Sequence, residues 1–89
     1  MCLSEPVGPF RHITVAFVTS QIPADLLPTD LVIGASQDGF DQTGLRVASV
    51  VRLHRLLTID AEAVVRTLGE VPEPLRAEIG QRLRLLFGL

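Results

Sequence analysis

Arg52 and His54 stand two residues apart inside the apolar run Leu45–Ile59. If that run is a β-strand, alternate side chains share a face, and both project the same way about 7 Å apart along the backbone. A guanidinium that steadies a crowded phosphate, beside an imidazole that titrates near about 6.5 when free, is a workable pair for cleaving RNA. Such a reaction needs a base for the 2′-hydroxyl, an acid for the departing 5′-oxygen and a cation for the phosphate. Spacing alone favours a plainer reading, a polar strand face open to water, because no chemistry is specific to Arg-x-His. Thr19 and Ser20 close the other strongly apolar run, Ile13–Thr19. Hydroxyls at a strand end donate to phosphate oxygens, but they also commonly open a turn. His12 is expected on a mobile N-terminal arm. Asp25, Asp30, Asp38 and Asp41 are expected in loops, at spacings that match no metal-binding loop. The sequence holds no glycine-rich phosphate loop, nucleophile elbow or HExxH pair.

The elements that must position these groups follow from pattern. ITVAFVT has the β-branched and aromatic content of a strand covered on both faces. SQIPADLLPTD, with Pro23 and Pro28, reads as a loop, and Leu31–Ile33 as a short apolar strand closed by the turn-rich GASQDGFDQTG. Leu45–Ile59 reads as a strand bent near Ala48–Ser49, with Val51, Leu53, Leu57 and Ile59 facing the core. AEAVVRTLGEV fits either a helical turn or a short strand ending at Gly69. PEPLRAEIGQRLRLLFGL reads as a helix, with proline and glutamate in its first turn, Arg82 and Arg84 near its end, and Gly88 to stop it. Leu75, Ile79, Leu83 and Leu86 form its apolar stripe, which leaves Leu85 and Phe87 off the stripe as a candidate dimer contact. The sum is a small, mostly antiparallel β domain closed by a C-terminal helix.

Composition bounds what such a domain can be. Eighty-nine residues, 47% of them hydrophobic and 20% charged, make one packed domain and exclude a multidomain enzyme. No uncharged stretch is long enough to cross a membrane as a helix, and Glu5, Pro6 and Pro9 sit where an apolar leader would need to be. A lone cysteine, Cys2, excludes an internal disulfide and a cysteine zinc site. The net charge of −2 argues against non-specific attraction to nucleic acid. Charge is nevertheless uneven: between Asp41 and Asp60 there is no acid, and Arg46, Arg52 and Arg55 fall in that window beside His54.

ITVAFVTSQI, LLPTDLVI, TGLRVASVVRLHRLLTID, VVRTLGEV and a helix ending RLLFGL, in that order, resemble the MazF/PemK toxins of type II toxin–antitoxin modules. The resemblance spans about residues 10–89. It implies an α+β fold, mainly β with a C-terminal helix, of the SH3-like small-barrel type. It also implies a metal-independent, cofactor-free endoribonuclease that cuts single-stranded mRNA, leaving a 2′,3′-cyclic phosphate and a 5′-hydroxyl. By the same resemblance Thr19, Arg52 and His54 are the catalytic positions, and Ser20, Gln21, Arg46 and Arg55 contact RNA or phosphate. His54 stands where an aspartate is common in the family, so activity is expected to fall when His54 protonates. The expected partners are single-stranded RNA, an antitoxin peptide and a second copy of the chain, in the cytoplasm and away from membranes. Residues 1–12 are expected to be an irregular arm and 13–89 the toxin domain. The family's opening hairpin, which ends in G-x-R-P or K-x-R-P, has no counterpart in MCLSEPVGPFRH. The fold is therefore expected to be incomplete at the N-terminus, with an unpaired sheet edge. The alternative is a shortened, non-catalytic member that only dimerises or holds its antitoxin.

Overall fold

Valine, isoleucine and threonine dominate the run Ile13–Thr19 and share the apolar positions of Leu45–Ile59 with leucine, and both runs become strands, as stiff branched side chains favour. The computed structural model describes all residues 1–89. It contains β1 (His12–Thr19), β2 (Asp30–Ile33) and β3 (Ser49–Asp60), followed by the helix α1 (Glu73–Phe87). Single 3₁₀ turns occupy Phe40–Thr43 and Ala61–Ala63. β3 is central and antiparallel to both neighbours, in the order β1-β3-β2. The molecule is thus mainly an antiparallel sheet with one C-terminal helix.

One face of the sheet is packed. Ala16, Leu31, Ile33, Val51 and Leu53 meet Leu75 and Ile79 of α1, with Phe40 from the 3₁₀ turn completing the cluster. Leu83 flanks it, as the helical stripe requires. Gly88, at φ 70°, stops the helix, and its N–H bonds the Arg84 and Leu85 carbonyls. Gly44, at φ 75°, ends the first 3₁₀ turn, and a Cβ there would meet the Leu68 carbonyl, so the residue-64–71 segment packs directly on that turn.

Several expectations are corrected. The central strand begins at Ser49 and not Leu45, because its partners run out there: β2 pairing ends at Ile33 opposite Ser49 and β1 pairing at Thr19 opposite Val50. The irregularity in β3 is not at Ala48–Ser49. Register runs from His12 opposite Asp60 to Ala16 opposite Leu56, then jumps to Phe17 opposite Arg52. Leu53, His54 and Arg55 therefore have no β1 partners and form a bulge of three residues. An odd insertion reverses which residues face inward. Leu53 is fully buried, but beyond the bulge Leu56 turns to the core and Leu57, expected inside, is 62% exposed. β1 is covered unevenly: Ile13 and Ala16 are buried on opposite faces, whereas Phe17 is 42% exposed.

The β1 edge expected to be bare is partly covered. Residues 1–7 run beside it, with Leu3 N–H bonding the Thr14 carbonyl at 2.8 Å and Ala16 N–H the Met1 carbonyl at 2.7 Å. A further pair joins Val7 and His12, N–H to carbonyl in both directions. His12, expected on the arm, is the first residue of β1, and its imidazole lies 3.2 Å from Asp60 across the strand pair.

The bulge makes a contrast between two leucines four residues apart. Leu53→Ala is expected to cost about 3 kcal/mol through the cavity it leaves, whereas Leu57→Ala should stay within about 0.5 kcal/mol of the parent. Denaturant melts of the two variants measure the difference. Equal losses would mean that β3 continues its alternation through residues 53–55.

Candidate functional site

The face of the sheet opposite the hydrophobic core carries the polar groups. Directly paired residues project from the same side. Arg52 is opposite Phe17 on β1 and opposite Asp30 on β2, so these three share a face, and Thr19 follows two residues after Phe17. His54 enters from the bulge. The expected pair therefore does meet, but through a third residue that sequence reasoning placed in a loop. Asp30 is the first residue of β2, and its side chain is fully buried.

Burial of a carboxylate is costly unless donors replace the lost water. Asp30 has them. Oδ1 accepts from Arg52 Nε at 3.0 Å, and Oδ2 accepts from Arg52 Nη2 at 3.2 Å and from the Leu27 N–H at 2.8 Å. His54 Nδ1 lies 3.7 Å from Oδ1, beyond a hydrogen bond but in close electrostatic contact. Burial pushes the Asp30 carboxyl up. The Leu27 N–H, the Arg52 hydrogen bonds and charge, and the charge of His54 outweigh it and hold the group below the usual carboxylate value. Arg52 and His54 keep 21% and 32% of their side-chain surface open to solvent. Two of the five guanidinium N–H groups of Arg52 are engaged, which leaves three for an incoming anion.

The remaining expected residues are distributed around this cluster. Thr19 Oγ1 accepts the Gln21 N–H at 3.1 Å, so its own proton remains free to donate. Ser20 and Gln21 are exposed in the turn that follows. Arg55 lies 4.1 Å over the Phe17 ring, a cation–π contact that holds its charge on the same face as Thr19 and Arg52. Arg46 is not brought in: it lies before β3, is exposed, and forms no side-chain bond to the cluster. The window without acids, basic in sequence, is partly neutralised in space, because Asp30 crosses from the neighbouring strand. Among three-residue groupings of His, Cys, Asp and Glu, none is placed to share a metal ion. No helix is long and apolar enough to cross a membrane.

Two grooves of about 640 and 690 Å³ lie elsewhere, between the N-terminal arm, residues 61–71 and the start of α1. Neither is lined by Asp30, Arg52 or His54. The polar cluster is an open strip on a sheet, a shape suited to an extended ligand more than to an enclosed small molecule.

Comparison with known proteins agrees with this architecture. Residues 3–87 match the family described as PemK-like, MazF-like toxin of type II toxin-antitoxin system. Among solved structures, Mycobacterium tuberculosis toxin MazF-mt6 superposes with a TM-score of 0.69 at 23% identity, over 88% of this chain and 71% of that one. At that identity the likeness is one of fold. A comparison with curated proteins finds no match.

Asp30→Asn removes the charge but keeps the shape, and is expected to cost about 2 kcal/mol at neutral pH by leaving Arg52 without its counter-ion. The folded carboxyl titrates below its ordinary value of about 3.9, so its contribution is complete above that pH and is lost as pH falls through the lower folded value. The gap between parent and variant in thermal melts should therefore narrow as the solution is acidified below about pH 4. A gap that stays constant into strong acid would show that the ion pair does not stabilise the fold.

Proposed function

The chain belongs to the PemK-like, MazF-like toxins of type II toxin–antitoxin systems, and from that premise we propose that it is a metal-independent endoribonuclease that cuts single-stranded mRNA to arrest growth. The observation that carries the proposal is the convergence of Arg52 and His54, from one bulged strand, on a single buried carboxylate, on the sheet face that Thr19 shares.

The chemistry follows from what each group has left to give. The scissile phosphate lies against the three unengaged N–H groups of Arg52, which meet the charge that builds on the phosphoryl oxygens as the 2′-oxygen attacks. His54 takes the 2′-hydroxyl proton, the role of a neutral imidazole. As the bond from phosphorus to the 5′-oxygen breaks, Arg52 gives the departing oxygen a proton and regains one from solvent. The free protons of Thr19 and Ser20 hold a non-bridging oxygen, and the Gln21 amide and the Arg55 guanidinium border the path of the strand. Arg46 is left for the flanking nucleotides. The products are a 2′,3′-cyclic phosphate and a 5′-hydroxyl. An antitoxin peptide as partner accords with the family. A homodimer would cover the exposed Leu85 and Phe87 of α1, and a cytoplasmic setting matches a substrate of mRNA.

Incubating the purified 89-residue chain with a panel of single-stranded RNAs in EDTA tests this reading directly. Cuts ending in 5′-hydroxyls are expected, with Arg52→Ala reducing the rate by about 10²-fold or more, the scale of losing a donor to a developing oxyanion. A folded protein that cuts nothing yet captures an antitoxin peptide would instead establish a binding member of the family.

A further inference from the structure

A buried carboxylate has about four acceptor positions, two on each oxygen. On Asp30 three are filled: Oδ2 takes the Leu27 N–H and Arg52 Nη2, and Oδ1 takes Arg52 Nε. The fourth, on Oδ1, has a single neighbour, His54 Nδ1 at 3.7 Å. A lone pair on that nitrogen would face the carboxylate with two negative ends together, whereas a proton there turns the contact into an attraction. Asp30 cannot swing away from this meeting, because the other three bonds fix both of its oxygens to β3 and to the loop before β2. The remaining ring nitrogen, Nε2, is on the far side of the imidazole from the carboxylate, and the side chain is about one-third open to solvent.

We infer that Asp30 is the positioning residue of this site: it holds the proton of neutral His54 on Nδ1, so that Nε2 presents its lone pair to the substrate. The inference rests on the ribonuclease reading and deepens it by naming the atom that accepts the 2′-hydroxyl proton. The same carboxylate turns Arg52 so that its free N–H groups, and not Nε, face outward. Asp30 touches no substrate; it acts through both residues that do. A free imidazole prefers the opposite tautomer, with the proton on Nε2, so the carboxylate would be reversing an intrinsic preference.

Long-range ¹H–¹⁵N correlation of the two histidines at about pH 8, where a free imidazole is neutral, reads the tautomer without any need for turnover. His54 is expected to carry its proton on Nδ1. His12, whose Nε2 is the atom facing Asp60, should show the other pattern and serve as an internal control. In Asp30→Asn the His54 signals are expected to move to the Nε2-protonated form, and kcat for RNA cleavage to fall about tenfold or more with KM within about threefold, as when the orienting partner of a catalytic histidine is lost. A parent His54 protonated on Nε2 would overturn the inference, and that spectrum decides the matter even if the variant does not fold. An unchanged kcat in a folded Asp30→Asn would overturn it equally. If the parent cuts no RNA, the ribonuclease reading fails by itself, while an Nδ1-protonated His54 would still sustain the positioning geometry.

Discussion

The bond between the Asp30 carboxylate and the Arg52 guanidinium ties the short edge strand to the centre of the sheet, and much of the molecule's surface chemistry depends on it. β2 is only four residues long and pairs with β3 alone. Strand pairing of that length is weak on its own. The side-chain bridge adds two charge-assisted hydrogen bonds across the same two strands, at the pair where β2 begins. The Leu27 N–H bond then turns the preceding loop onto the same carboxylate. A buried charge of this kind tolerates few alternatives: with its donors in place it fixes one geometry, and without them it is costly. The constraint that stabilises the edge is therefore the constraint that orients the site.

The bulge in β3 performs the complementary task. A strand that alternated without interruption would place Arg52, His54 and then Leu56 along the open face. The three inserted residues instead carry Arg55, which strict alternation would bury, onto the Phe17 ring and return Leu56 to the apolar side, while Leu53 stays in the core and His54 stays near Asp30. Bulges are a common means of re-aiming a side chain without lengthening the fold. Here one irregularity allows a strand of twelve residues to serve the core on both sides of the bulge, through Val51 and Leu53 before it and Leu56 after it, and to carry a polar cluster between them.

How far the sequence disclosed this can be judged residue by residue. β-branched content located β1 and the later part of β3, and the leucine and isoleucine spacing located α1, because these signals depend on local chemistry. The Arg52–His54 pair was visible for the same reason. Asp30 was not. Its importance comes from a pairing 22 positions along the chain, and in sequence it is one of several aspartates near prolines and turns. The only local hint was its place directly before Leu31–Ile33, at the mouth of a short apolar strand. The bulge was also missed, although RLHRLL breaks strict alternation at His54–Arg55, where a regular strand would turn Arg55 into the core. Leu57 was assigned to the core by that alternation and lies outside it. Cover for the β1 edge came from MCLSEPV, whose proline and polar residues read as irregular, because four backbone hydrogen bonds leave no mark on composition.

Charge explains how an acidic chain can serve as the proposed nuclease. Proteins that hold nucleic acid non-specifically rely on many phosphate contacts from an excess of Lys and Arg, and their affinity scales with that number. This chain has a net charge of −2 and one cationic strip, within which Asp30 already offsets one guanidinium. It therefore cannot draw its hold on RNA from bulk attraction. What it offers is a small number of directed donors, the three free N–H groups of Arg52, the Thr19 and Ser20 hydroxyls and the Arg55 charge held over Phe17. Donors fixed in direction favour the shape of the phosphorane over that of the ground-state phosphate, which is how binding energy becomes rate. The carboxylate that subtracts from overall attraction is the same group that fixes the direction of the Arg52 donors.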